Sequence, residues 1–272
     1  ESISLPPTQR ALNAFGSSKR VILVFSVMAP IKFAELCAQS CYSFLEGAST
    51  PEEIVRQAAH LNYDAIAITD RNGVYGLARA HQAVGPSFGD TKGRFHPLII
   101  GAQVTWNQAP LYLLAQNREG YGNLCELLSA FHCEEKLPLE SFSKNLIALY
   151  LPPIGAEVVP TFLMDTFPER LYLVESQLLD GQDSRRIDHI EKVSHDWNLP
   201  CIASNQPLYH LAQRKPLQDV LTAIRHSTPV SRLGLKRQPN AERYLKSLSQ
   251  IQALFSTHPE WVSQTLDIVS RC

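Results

Sequence analysis

The sequence predicts an α/β fold: a closed barrel of about seven strands with helices between them, followed by two or three short helices. Three observations predict it. Strand-like apolar runs alternate with helical runs along most of the chain, the signature of parallel strands joined by helical crossovers. The number of strand runs suits a barrel better than a short open sheet. With 272 residues, 44% of them hydrophobic, the chain can bury a large core, and few stretches have the composition of a disordered segment.

The elements follow in order. Residues 31–37 read as a strand, after which Ser49-Thr50-Pro51-Glu52-Glu53 opens a helix running to about Leu61. Thr50 can cap that helix, Pro51 suits its first position, and the two acids favour the positive end of the helix dipole. Ile54, Ala58 and Leu61 share one face. Residues 64–70 form an apolar run expected to be a buried strand, and residues 74–84 a second helix. Gly, Pro, Ser and Asp between 85 and 94 mark a surface loop. Strands follow at 97–105 and 111–115, a helix at 119–131, strands at 146–150 and 170–175, a helix at 184–197 and a strand at 201–204. A helix over 217–226 closes the body. Beyond Ser227 no strand-like run remains, so the last residues are expected to form helices that leave the barrel, the final one over 260–271.

Composition excludes several classes of function. Cysteines at 37, 41, 125, 133, 201 and 272 form neither a disulfide framework nor a Cys-x-x-Cys zinc pair, which points to a reducing cytoplasm. The apolar run 21–29 is too short to span a membrane, for which about 20 residues are needed, and a poor signal peptide. Gly120-Tyr121-Gly122 lacks the lysine and third glycine of a phosphate loop, and no Gly-x-Ser-x-Gly elbow occurs. His189 and His195 fall on the polar face of a helix, and His210 is expected at the surface rather than as a catalytic base.

The net charge of -1 conceals an uneven distribution. Between Gln213 and Ser247, Arg214, Lys215, Arg225, Arg232, Lys236, Arg237, Arg243 and Lys246 face only Asp219 and Glu242. A basic section therefore follows an acidic body.

Several motifs in order resemble the PHP (polymerase and histidinol phosphatase) family. Residues 33–49 resemble its opening metal motif, with Cys37 and Gln39 in place of the His-x-His pair. Ile68-Thr69-Asp70-Arg71 is similar to a second motif that usually ends in His, and Gly101-Ala102-Gln103 to a third that usually ends in Glu. Residues 114–124 resemble a stretch of the PHP domains of bacterial C-family DNA polymerases, and the segments 214–225 and 239–246 the linker by which those domains pass into the polymerase body, nearest to the error-prone branch of the DNA polymerase III alpha subunit family. The likeness covers residues 31–272. It implies a distorted seven-stranded (β/α) barrel of PHP type with a short helical C-terminal tail: an N-terminal extension over 1–30, a PHP domain over 31–226, and a helical linker over 227–272 leading toward a polymerase body absent from this chain. Met28 stands at a position from which such a polymerase could start.

The resemblance also implies where metal ligands would stand. Cys37 and Gln39 replace the first His pair, Glu46 matches an acidic ligand, Arg71 replaces a His, and Gln103 replaces a Glu. His132 and Glu175 match a later His and carboxylate, while Gln206 and Leu208 replace a final Asp and His. Glu46, His132, Glu175 and Cys37 are too few donors for a two-metal cluster, and Arg71 would place a fixed cation where an ion should sit. No metal or other cofactor is expected in this chain, and Mg²⁺ only in the absent polymerase palm. A single site built from Cys37, His132 and a carboxylate competes with the plainer reading of Cys37 as a small buried residue. Without metal, Asp70 is expected to pair with Arg71 or to cap the following turn.

Two readings follow. The chain is either the silent front of an error-prone DNA polymerase, meeting the polymerase body in cis and DNA through the parent protein, or a stand-alone degenerate PHP protein acting as a binding module. A metal-dependent phosphoesterase is disfavoured by the ligand losses. The eight basic residues from Arg214 to Lys246 are candidates for contact with DNA or with the polymerase body. No membrane partner is implied.

Overall fold

In a computed structural model, residues 31–84, 97–106, 109–133, 139–156 and 159–272 are described; the expected extension over 1–30 and the loop over 85–94 lie outside them. The strands are β1 (Ala34–Ala38), β2 (Ala65–Arg71), β3 (Leu98–Trp106), β4 (Ala109–Ala115), β5 (Leu146–Tyr150), β6 (Leu171–Glu175) and β7 (Cys201–Ala203). Helices α1 (Pro51–His60), α2 (Leu77–Val84), α3 (Arg118–His132), α4 (Thr161–Thr166) and α5 (Asp183–Trp197) lie between them, and α6 (Lys215–Arg225), α7 (Leu248–Leu254) and α8 (Pro259–Arg271) follow β7. Local chemistry explains the helix starts. Thr50 and Glu53 cap α1 reciprocally, the Thr50 hydroxyl accepting from Glu53 N and the Glu53 carboxylate from Thr50 N. Asn117 caps α3 through Gly120 N.

The seven strands form one sheet in sequence order. Four of its ladders are parallel, but β4 runs antiparallel to both β3 and β5. The strand β4 is thus an exception to the expected parallel arrangement. Two residues separate Trp106 from Ala109, far fewer than the dozen or so that a parallel crossover needs, so the chain can only turn back.

Both faces of the sheet are buried. The inner face carries Leu36, Ala67, Tyr112, Leu149, Val174 and Ile202, and the outer face packs Ile66, Leu113 and Leu173 under the helices. β1 and β7, the two edges, share no ladder. Glu35 bridges them instead. Fully buried in β1, its carboxylate accepts from Ser204 Oγ (2.6 Å), Asn205 N (2.8 Å) and Cys37 N (2.9 Å).

Helix α8 supplies the rest of the closure. It packs on β7 and β1, and Thr265 Oγ1 accepts from Ala34 N at 3.2 Å, satisfying an edge-strand donor. Ile268 enters the inner cluster, and Arg271 donates to Tyr172 Oη (2.6 Å) and Glu169 O (3.1 Å) near the start of β6. The last helix therefore does not leave the barrel as expected. Its apolar face is needed to cover the inner face of the sheet, and Ile31–Cys272 forms one compact unit. α4 and the 3-10 turn at Leu139–Phe142 had no counterpart in the sequence reading, being too short to show a period.

Candidate functional site

The strand ends bring residues of the first, second, third and last motifs to one end. Gln39 follows β1, Asp70 and Arg71 end β2, Gln103 lies in β3 opposite Arg71 in the ladder, Glu175 ends β6, and Gln206 follows β7. The side chains there hold one another. The Gln39 amide donates to Gln103 Oε1, and Gln39 N donates to Pro207 O at 3.0 Å. Gln206, at φ 44, donates through Nε2 to Ser176 Oγ at 2.7 Å.

Asp70 is buried and does not pair with Arg71. Its carboxylate accepts from Ser40 N (2.7 Å), Ser40 Oγ (2.7 Å) and Ser43 Oγ (2.8 Å), while Ser43 Oγ accepts in turn from Arg71 N (3.0 Å). The aspartate thus fixes the loop after β1 against the end of β2. Burial raises its pKa and the serine donors oppose that rise. Gly47 lets the same loop close, because a Cβ there would lie 1.9 Å from Ser40 O. The expected pairing fails because Arg71 turns outward to Glu46, at 3.0 Å, and to Phe44 O, at 3.4 Å. Arg225, from α6, binds the same Glu46 oxygen.

The other ligand positions separate. Cys37 is buried, and its thiol pKa is pushed well up by burial and by Glu35. His132 lies at the C-terminal end of α3, where Nε2 meets Asn72 O (2.8 Å) and Tyr75 Oη (3.0 Å). Leu208 is buried in a small cluster with Ala48 and Tyr209. Glu175 is buried, its Oε1 has no hydrogen-bond partner among the described residues, and burial raises its pKa to about 8. Among the described residues no three His, Cys, Asp or Glu side chains come together as a metal site would require.

The basic section divides on inspection. Lys215 and Lys246 are buried against Asp219 and Glu242, each four residues away, and so do not reach a partner. Arg243 also turns inward. Its Nε donates to Gln206 O at 2.8 Å, and its charge faces Tyr112, Glu46, Tyr209 and Glu35; burial lowers its pKa and those neighbours oppose the fall. Arg214 pairs with Glu53, and Arg237 with Asp219 at 3.1 Å. Arg232 and Lys236 are exposed and carry no ion pair among the described residues. His210 is not a surface residue either: Nδ1 lies 2.7 Å from Ser49 Oγ, and His210 N donates to the same oxygen at 2.9 Å.

Sequence reasoning missed Glu35, Ser40, Ser43 and Ser176. Only Glu35 left a signal, a charge in the middle of an otherwise apolar strand.

The PHP domain family matches residues 35–162. The chain resembles the N-terminal region of error-prone DNA polymerases. It is 36% identical over 264 residues to the error-prone DNA polymerase of Anaeromyxobacter sp. (strain K), covering 89% of this chain and 22% of that protein. It is 34% identical over 251 residues to that of Pseudomonas aeruginosa, covering 88% of this chain and 23% of that protein. The chain therefore spans less than a quarter of the length of these curated relatives. Among solved structures, a candidate metal-dependent phosphoesterase of Bifidobacterium adolescentis aligns at TM-score 0.42 and 13% identity, over 65% of this chain and 88% of that one. No helix among the described residues is long and apolar enough to cross a membrane.

Proposed function

We propose that this chain is the PHP region of a cytoplasmic error-prone DNA polymerase and serves there as a scaffold without a metal centre. One observation carries the second part. Where the resemblance puts a His ligand this chain has Arg71, paired with Glu46; Arg243 from the C-terminal section donates to the backbone of Gln206, and Gln39 and Gln103 bind each other. These residues do not fit a two-metal centre: fixed cations repel ions, and neutral amides cannot neutralise them. Glu46 is engaged by two arginines and Asp70 by two serines, so neither carboxylate is spare.

The polymerase reading rests on the relatives and on the share of them that this chain represents. The whole protein would add nucleotides at a DNA primer with Mg²⁺ held in a palm that lies outside this chain. The exposed Arg232, Lys236 and Arg237 would then meet the polymerase body.

Two measurements test this. Metal analysis of untagged protein, with a phosphatase assay in added Mn²⁺ or Zn²⁺, should give neither stoichiometric metal nor turnover; close to one ion per chain would overturn the scaffold reading. Reading the gene beyond the codon for Cys272 should show an open frame continuing for a polymerase body, and a stop codon there would overturn the polymerase reading.

A further inference from the structure

At the rim of the barrel mouth four rings form a row. Tyr42 lies 6.2 Å from Phe44, Phe44 6.2 Å from Tyr75, and Tyr75 6.3 Å from His132, centre to centre. The middle two face solvent, Phe44 at 60% and Tyr75 at 51% exposure. Large aromatic faces left open to water are informative when clustered, since scattered ones are ordinary. The local backbone is shaped to present them. Leu45, directly after Phe44, sits at φ 61, where a branched side chain is disfavoured. A Cβ on Gly73 would lie 2.2 Å from the Tyr75 ring, so only glycine lets that ring lie where it does. The Tyr75 hydroxyl meets His132 Nε2 at 3.0 Å, fixing the ring's tilt.

Beside the row stands surplus positive charge. Arg71 and Arg225 both bind Glu46 Oε1, so one carboxylate answers two guanidiniums. Arg225 Nε has no acceptor among the described residues, although it is buried. Arg71 reaches back to Phe44 O at 3.4 Å, which places this charge at the foot of the rings.

We propose that this ledge binds single-stranded nucleic acid, with unpaired bases stacking on Phe44 and Tyr75 and backbone phosphates accepting from Arg71 and Arg225. Guanidinium forks match phosphate oxygens, and open ring faces match bases whose own faces are not already stacked in a duplex. A duplex could use only the charge. The ledge belongs to this chain alone and stands or falls independently of whether a polymerase body follows it.

The test is fluorescence anisotropy of a labelled oligothymidylate of about a dozen nucleotides with the whole chain, against the same length of duplex. Single strand should bind more tightly than duplex and weaken as salt rises from about 50 mM to about 200 mM, with a log–log slope near -1.4 for two phosphates. Phe44→Ala and Tyr75→Ala should each weaken binding about fivefold or more, while Tyr75→Phe retains it. Phe44→Trp should bind and show quenching of its indole fluorescence on titration. Both ring positions are exposed, so circular dichroism should show these variants folded. The proposal is overturned by absence of single-strand binding at the lower salt, by equal binding of duplex, or by unchanged binding in the Phe44→Ala, Tyr75→Ala double variant. Loss of binding in an Arg232→Gln, Lys236→Gln variant while the ring variants bind normally would also overturn it, by placing the nucleic acid on the C-terminal section.

Discussion

Single residues at the mouth differ in how well their surroundings satisfy them. Glu175 is the carboxylate left most at odds with its surroundings, buried, with one oxygen unpartnered, and with a pKa near 8 caused by burial and only partly offset by Arg186. In the unfolded chain the same group titrates near the ordinary glutamate value of about 4.3. Between those two values the folded protein binds a proton that the unfolded chain has released, so this residue's contribution to stability falls as pH rises from about 5 to about 8 and then levels off. Glu175→Gln should remove that slope. By urea denaturation the variant should exceed the parent by on the order of 5 kcal/mol at pH 8 and by little near pH 4; equal stability at pH 8 would mean that the carboxylate finds water or a partner. The opposite experiment concerns restoration. Gln39→His alone should yield no metal-dependent hydrolysis, because Arg71, Gln206 and Leu208 stay as they are, and it should cost about 1 kcal/mol by breaking the amide pair with Gln103. Metal-dependent phosphatase activity in that single variant would show the site to be less altered than its side-chain contacts indicate. Of this site, the residues that meet at the strand ends were legible from the motifs. What each of them touches was not, because Asp70's serines, Glu46's second arginine and the Gln206–Ser176 bond join residues far apart in sequence.

Elements were legible wherever a period had room to show. The strand and helix runs from residue 31 to 271 match the structure to within a few residues, since apolar spacing and the Thr50 and Pro51 start signals are local properties. The reversed direction of β4 was also present in the sequence, in the two residues that separate it from β3, but strand direction depends on the connection rather than on the strand. The docking of α8 could not be read at all: an amphipathic pattern reveals that a helix has an apolar face, not what covers it. Here the partners are the inner face of the sheet and the β1 and β7 edges, some 230 residues away in sequence at Ala34. Two substitutions test this role. Ile268→Ala should destabilise the chain by about 3 kcal/mol through a cavity in the inner cluster, and Thr265→Val by about 1–2 kcal/mol through the orphaned Ala34 N–H. Chemical denaturation measures both. Losses under about 0.5 kcal/mol in each would mean that the barrel is closed by Glu35 without help from the helix.

At the scale of the whole molecule the outstanding feature is an apolar helix face that nothing in the described chain covers. Leu217, Val220 and Ile224 repeat at helical spacing along α6 and are 42%, 44% and 56% exposed. On the opposite side of α6, Lys215, Gln218, Asp219, Thr222 and Ala223 are buried, so the helix puts much of its polar side inward and its greasy side out. That inversion makes little sense for a helix meant to face water, and the 3-10 turn that carries the exposed Arg232 packs on the same helix. If the face docks on a polymerase body, its side chains contribute nothing to this chain folded alone and a good deal to the longer protein. Leu217→Gln with Ile224→Gln should therefore shift the stability of the isolated chain by less than about 0.5 kcal/mol. In a protein that carries the polymerase body, the same pair should uncouple the barrel, which would then melt as a separate and earlier transition in calorimetry. A loss above about 1 kcal/mol in the isolated chain would place the face in its own core. An unchanged melting profile in the longer protein would move the docking surface elsewhere on the chain.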